Sequence, residues 1–131
     1  MILGILIIFC ISCQREITNP FDPECPKELF TPTDFTANQP ENVATINLKW
    51  SQSNTHIEGF RIERMVGKGT WEMVASPAGN ANSWSDNDIT PLVLHSYRLY
   101  AFAGNNKSNV VTASETPVFT GVITKQSAIV R

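Results

Sequence analysis

Ala44-Thr45-Ile46-Asn47-Leu48-Lys49-Trp50 alternates apolar and polar residues without a break. A period of two sends Ala44, Ile46, Leu48 and Trp50 to one face of a strand and Thr45, Asn47 and Lys49 to the other. Trp50 closes the apolar face with the largest side chain a short strand can bury. Such a face needs a second layer, so the rest of the chain is read for strands that cover it.

From Thr31 onward the chain breaks into short strand-like runs between clusters of Gly, Pro, Asn and Ser, the pattern of a β-sandwich. Strands are predicted over 34–37, 44–50, 57–65, 70–76, 82–86, 95–103 and 109–115. In the third, Phe60 and Ile62 point inward while Arg61 and Glu63 point outward. The fourth carries Trp71 and Val74, and the fifth centres on Trp84. In the sixth, Tyr97, Leu99 and Ala101 share one face and Arg98, Tyr100 and Phe102 the other. The predicted core is therefore Trp50, Phe60, Ile62, Tyr97 and Leu99, in an all-β, seven-stranded antiparallel sandwich.

The order of these pieces is specific. Pro32-Thr33-Asp34-Phe35-Thr36-Ala37, the run ending in Trp50, Gly59-Phe60-Arg61-Ile62-Glu63-Arg64 and the stretch from Trp71 to Ala75 come first. Trp84-Ser85-Asp86, Ile89-Thr90-Pro91 and Tyr97-Arg98-Leu99-Tyr100-Ala101 follow. Together they resemble a fibronectin type III domain, an immunoglobulin-like sandwich, over about residues 31–117. A true immunoglobulin domain would set its Trp on the third strand between bridged cysteines; here it ends the second, and no cysteine is near. Two positions depart from the family. Leu92 stands where a Gly is usual, and His95 where a Tyr ties down the connection before the sixth strand. Either the corner is kept, since a histidine can donate one hydrogen bond in the same direction, or it is lost at a cost of about 1 kcal/mol; His95→Tyr is expected to be neutral or stabilising.

Ahead of the domain lies what reads as an address. Met1 to Ile11 is uncharged and almost wholly apolar, yet as a helix it would reach only about 16 Å, half a bilayer's hydrocarbon thickness. That is the length of a secretory core segment. Cys10-Ile11-Ser12-Cys13 resembles a bacterial lipobox, with Ser12 as the small residue before the modified Cys13. The resemblance implies a signal peptide over 1–12 and an acylated Cys13. It also implies export to the cell envelope, with anchoring in the outer membrane because Gln14 rather than Asp follows the cysteine. Residues 13–30 then form the lipidated cysteine and a tether broken by Pro20, Pro23 and Pro26, expected to be extended and to hold the domain up to about 55 Å from the membrane. Cys25 is left over after processing, either idle or able to pair with another thiol. Residues 118–131 are strand-like and read as an added edge strand or the start of a further module.

Chemistry is thinly represented. The formal charge is −2, with ten Lys and Arg scattered among twelve Asp and Glu, so the basic stripe that grips nucleic acid is absent. His56 and His95 are the two histidines, and neither sits in a pattern that would activate a nucleophile. Asp86-Asn87-Asp88 lacks the spaced carboxylates of a calcium loop. No catalytic residue, metal site or cofactor is expected, and no Arg-Gly-Asp triplet occurs. The candidate binding face is Arg61, Glu63, Arg98, Tyr100 and Phe102, where exposed aromatics beside arginines would meet an envelope protein or a glycan; the competing reading is a surface ladder packed on Trp71. The expected function is a non-catalytic, lipid-anchored interaction or spacer module. The alternative is the N-terminal accessory domain of a longer exported enzyme, for instance a glycan-degrading one.

Overall fold

Ile46, Leu48 and Trp50 point inward from a strand that is the middle of a three-stranded sheet. The computed structural model describes residues 16–119, which form eight strands and one short 3-10 turn at Lys27–Phe30. The strands are β1 (Thr33–Asn38), β2 (Ile46–Ser51), β3 (Gly59–Val66), β4 (Glu72–Ala75), β5 (Ser83–Asp86), β6 (His95–Ala103), β7 (Asn106–Lys107) and β8 (Val111–Glu115). One sheet runs β1-β2-β5. The other runs β4-β3-β6, with β7 and β8 both pairing β6, and every pairing is antiparallel.

Ile46 and Leu48 from the first sheet meet Phe60, Ile62, Tyr97, Leu99 and Ala101 from the second, all fully buried. Each large aliphatic or aromatic side chain removed from water in this way contributes about 1.5–3 kcal/mol. Trp50 crosses the interface edge-on to Phe60, with ring centroids 5.2 Å apart, the geometry aromatic quadrupoles prefer. The result is the all-β sandwich that the alternation predicts.

The strand edges differ from expectation at several places. Ala44 is exposed and β2 begins only at Ile46. Trp71 lies outside β4, which starts at Glu72. The last strand starts at Val111 rather than at 109, and a two-residue β7 precedes it where a turn was expected; between them Ser108 is turned in, 5% exposed, with its hydroxyl accepting the Ala101 N–H at 2.9 Å. A side-chain oxygen thus replaces a carbonyl that the continuous ladder would have supplied, and no buried donor is orphaned.

Residues 16–31 are not an extended tether. Pro20, Cys25 and Phe30 are buried against the domain, and turns close through Asp22 N–H to the Asn19 carbonyl and Cys25 N–H to the Asp22 carbonyl. Prolines three apart forbid helix and ladder, but they leave turns and side-chain packing open. At the other end of the domain, Leu92 adopts a φ of +64° with its side chain 75% exposed. The backbone there has the left-handed conformation a glycine takes freely, even though the residue is not one. His95 is fully buried and uses both ring nitrogens: Nε2 accepts the Thr90 N–H (3.2 Å), so Nδ1 carries the proton and donates to the Val93 carbonyl (2.8 Å). Two bonds stand where one at most was expected.

Candidate functional site

The pairing of β3 with β6 sets Arg61 opposite Tyr100, Glu63 opposite Arg98 and Gly59 opposite Phe102. Directly opposed residues share a face, so the five residues singled out in the sequence lie together on the outer side of this sheet. All five are half-buried rather than exposed.

Their contacts form a ladder. The Arg98 guanidinium lies over the Trp71 ring, 3.9 Å from its centroid, and its Nε is 2.9 Å from Glu63 Oε2. The Arg61 guanidinium lies 4.0 Å over Phe102 and also donates to the Ser76 hydroxyl. Lys107 Nζ is 5.4 Å from the Tyr100 centroid. Phe102 has a structural task as well. A Cβ on Gly59 would come within 3.1 Å of the Phe102 ring and 2.9 Å of the Pro77 carbonyl, so the ring covers a strand position that carries no side chain. Each rung is a cation–aromatic or surface ion pair worth about 0.5–1 kcal/mol. Such a face is ordered but lightly held. Trp71 and Lys107 belong to it, and sequence alternation alone did not place Lys107 there.

A second polar cluster, not anticipated from the sequence, runs from the buried Asp86 and Tyr97 through the largely buried Arg64 to Asp88, whose side chain is in water. Arg64, directly opposite Tyr97, donates to both carboxylate oxygens of Asp86 at 2.9 Å and to the Asp88 carbonyl at 2.8 Å. It also pairs with Asp88 Oδ2 at 3.1 Å. The Tyr97 hydroxyl donates to Asp86 Oδ2 at 2.8 Å. Burial opposes the charge on Arg64, but the hydrogen bonds and charges of Asp86 and Asp88 outweigh it and raise its pKa. Burial, then the bond to Asp86 and its charge, push the Tyr97 hydroxyl far above its ordinary value. The cluster ties β5 of one sheet to β3 and β6 of the other. It also places an arginine among the oxygens of 86–88, the stretch considered for calcium, and among the described residues no group of three His, Cys, Asp or Glu gathers around a metal-sized space.

The loop end where β1 begins offers an open cleft of about 660 Å³ between the β2–β3 and β4–β5 connections, lined by residues including Trp50, Ser51, Thr55, Asn80 and Asn82. Trp50 Nε1 is buried and has no acceptor among the described residues. Two further amides at this end are already committed: Gln52 Nε2 donates to the Phe30 carbonyl and Asn54 Nδ2 to the Thr18 and Leu29 carbonyls. The N-terminal segment thus occupies part of the end that the loops would otherwise present.

The remaining candidates are placed as follows. His56 is exposed on the β2–β3 loop, while His95 is buried at the opposite end of the sandwich. Cys25 is 8% exposed, and burial followed by the charge of Asp22 raises its pKa. A buried thiol of that kind is a poor nucleophile and a poor partner for disulfide exchange. Cys13 and the tail from 120 onward lie outside the described residues. Among those described, no helix is long and apolar enough to cross a membrane.

No protein-family model and no curated protein matches the chain. Solved structures do. The crystal structure of FN3tt is similar at a TM-score of 0.60 and 24% identity, over 70% of this chain and 95% of that one. An Fn3-like protein from Clostridium thermocellum is similar at a TM-score of 0.55 and 16% identity, over 68% and 94%. Part of pectate lyase Pel3 from Pectobacterium carotovorum is similar at a TM-score of 0.50 and 22% identity, over 65% of this chain but 26% of the lyase. At such identities the likeness establishes the fold, which is that of a fibronectin type III domain.

Proposed function

We propose that this is a non-catalytic, lipid-anchored protein of the bacterial cell envelope, held in the outer membrane, whose fibronectin-type sandwich serves as an interaction or spacer module. The reading rests most heavily on the outer face of β3 and β6. Trp71, Tyr100 and Phe102 alternate there with Arg61 and Arg98, the residue types that partner interfaces favour, and Lys107 adds a further cation beside Tyr100. Each rung of the ladder is weak, so an envelope protein or a glycan can take over a cation–aromatic contact at small cost.

Two experiments test the halves of this reading separately. A fatty-acid probe fed to the producing cells labels the native chain and is lost in Cys13→Ala; label that persists in the variant rejects the anchor. Capture of envelope partners by the native domain, and its loss with Tyr100→Ala/Phe102→Ala, supports the face. Because Phe102 also covers Gly59, Lys107→Glu is run beside the pair, since it changes the face without uncovering the strand. Partners that survive in both variants reject the face.

The likeness to a part of pectate lyase Pel3 favours a second reading, in which the domain is the accessory piece of a longer exported enzyme acting on glycans. A reading frame that continues past Arg131 into a further domain would favour it, and a stop codon there would count against it.

A further inference from the structure

Residues 18–31 are fastened to one end of the sandwich. Asn54 Nδ2 donates to the Thr18 carbonyl at 3.1 Å, and Asn106 Nδ2 donates to the Pro20 and Asp22 carbonyls at 2.8 and 3.0 Å. Gln52 Nε2 reaches the Phe30 carbonyl at 2.9 Å, and Thr31 Oγ1 accepts the Asn109 N–H at 3.1 Å. Gln52 and Asn54 belong to the β2–β3 loop, and Asn106 and Asn109 to the hairpin that follows β6. Both lie at the end where β1 starts, because Thr33 pairs with Ser51 and Ala103 with Asn106.

Thr18, the first of these fastened residues, is five steps along the chain from Cys13. At about 3.3–3.6 Å per residue that link spans less than about 18 Å even when fully drawn out. We propose, on the reading that Cys13 is acylated, that this end of the sandwich lies against the bilayer surface while the opposite end points away from it. The same end exposes apolar side chains suited to the headgroup–acyl boundary: Phe21 is 52% exposed beside Gly104, and Leu29 is 45% exposed. Its charges lean to carboxylates, with Glu16, Asp22, Glu24, Glu28 and Glu58 against Lys27, Lys107 and Arg15 of the link. That balance suits a zwitterionic surface better than an anionic one. A strand as long as β6 spans about 30 Å, so the Gly67–Gly69 turn stands well clear of the lipid. The β3–β6 face then runs up the side of the molecule and stays open to partners. The N-terminal segment acts as a short clamp that sets orientation, where an extended tether would leave it free.

The test uses the full-length acylated protein on phosphatidylcholine/phosphatidylethanolamine vesicles carrying a nitroxide on the headgroup. A fluorophore is attached to Asn105→Cys at the near end or to Lys68→Cys at the far end, with Cys25 protected by its burial. Most of the emission is expected to be lost at 105 and retained at 68. Inserting twenty Gly/Ser residues between Gln14 and Arg15 should restore emission at 105 while the protein still floats with the vesicles. Equal quenching at the two positions on floated vesicles, or quenching at 105 that survives the insertion, overturns the orientation and leaves the anchor standing. A chain that lacks the acyl mass at Cys13 and fails to float overturns the anchor, and the orientation with it.

Discussion

Arg61 and Arg64 leave the same strand three residues apart and meet opposite surroundings. Arg61 lies on the outer face over Phe102, where water screens its charge and its neighbours can move. Arg64 turns into the sandwich, its side chain 12% exposed, and meets Asp86, Asp88 and, through Asp86, Tyr97. The cation is the same, but Arg61 meets an aromatic ring and the Ser76 hydroxyl, whereas Arg64 meets two carboxylates. Their worth differs because a charge inside the fold has no water to return to if its partner is removed. The inner set thus joins the two sheets, and the outer set adds only weak contacts to one of them.

The comparison breaks most visibly at Arg64. Arg64→Ala leaves the buried Asp86 carboxylate without its counter-charge, held only by the Tyr97 hydroxyl and the Asp88 N–H, and should lower the unfolding free energy in urea by about 3–5 kcal/mol. Tyr97→Phe removes one bond from the same cluster and should cost about 1–2 kcal/mol. It should also change the pH profile. Native Tyr97 keeps a proton that the unfolded chain releases near pH 10, so the stability it confers is complete below about pH 10 and declines as pH rises further. Melting curves of Tyr97→Phe should fall less steeply above that pH than those of the native protein.

Leu92 sharpens the comparison from another side, since exposure by itself does not make a position neutral. Its side chain is in water, but its backbone is left-handed. Leu92→Gly should relieve about 1–2 kcal/mol of strain against an entropic loss of about 0.5–1 kcal/mol, so a small rise in melting temperature is expected. The smallest effect belongs to the outer ladder: Lys107→Ala, which removes the single contact with Tyr100, should cost less than about 1 kcal/mol, and a loss as large as that at Arg64 would erase the distinction between the faces.

Much of this was readable in the sequence. Strict alternation placed Phe60, Ile62, Tyr97 and Leu99 inside and Arg61, Glu63, Arg98, Tyr100 and Phe102 outside, because period two is a property of the backbone. The same count also sends Arg64 inward, two residues past Ile62, although a charged residue at an inner position reads against its type. Recognising the cluster needed Asp86 from the other sheet, and sequence pattern does not reveal which residues meet across the layers. The N-terminal segment was misjudged for a related reason. Its prolines exclude ladder and helix, but Pro20, Cys25 and Phe30 bury through irregular turns, and irregular packing has no period to detect. The bond from His95 to the Thr90 N–H depends on a loop shape that spacing does not specify.

The difference between the two faces can be measured through paired double-mutant cycles in urea, one for Arg64 with Asp86 and one for Arg98 with Glu63. The interior cycle should return a coupling of several kcal/mol, about 3 or more, and the outer one less than about 1 kcal/mol. Equal couplings, or a stronger one on the outer face, would contradict the claim that the interior cluster joins the sheets while the ladder adds only weak contacts.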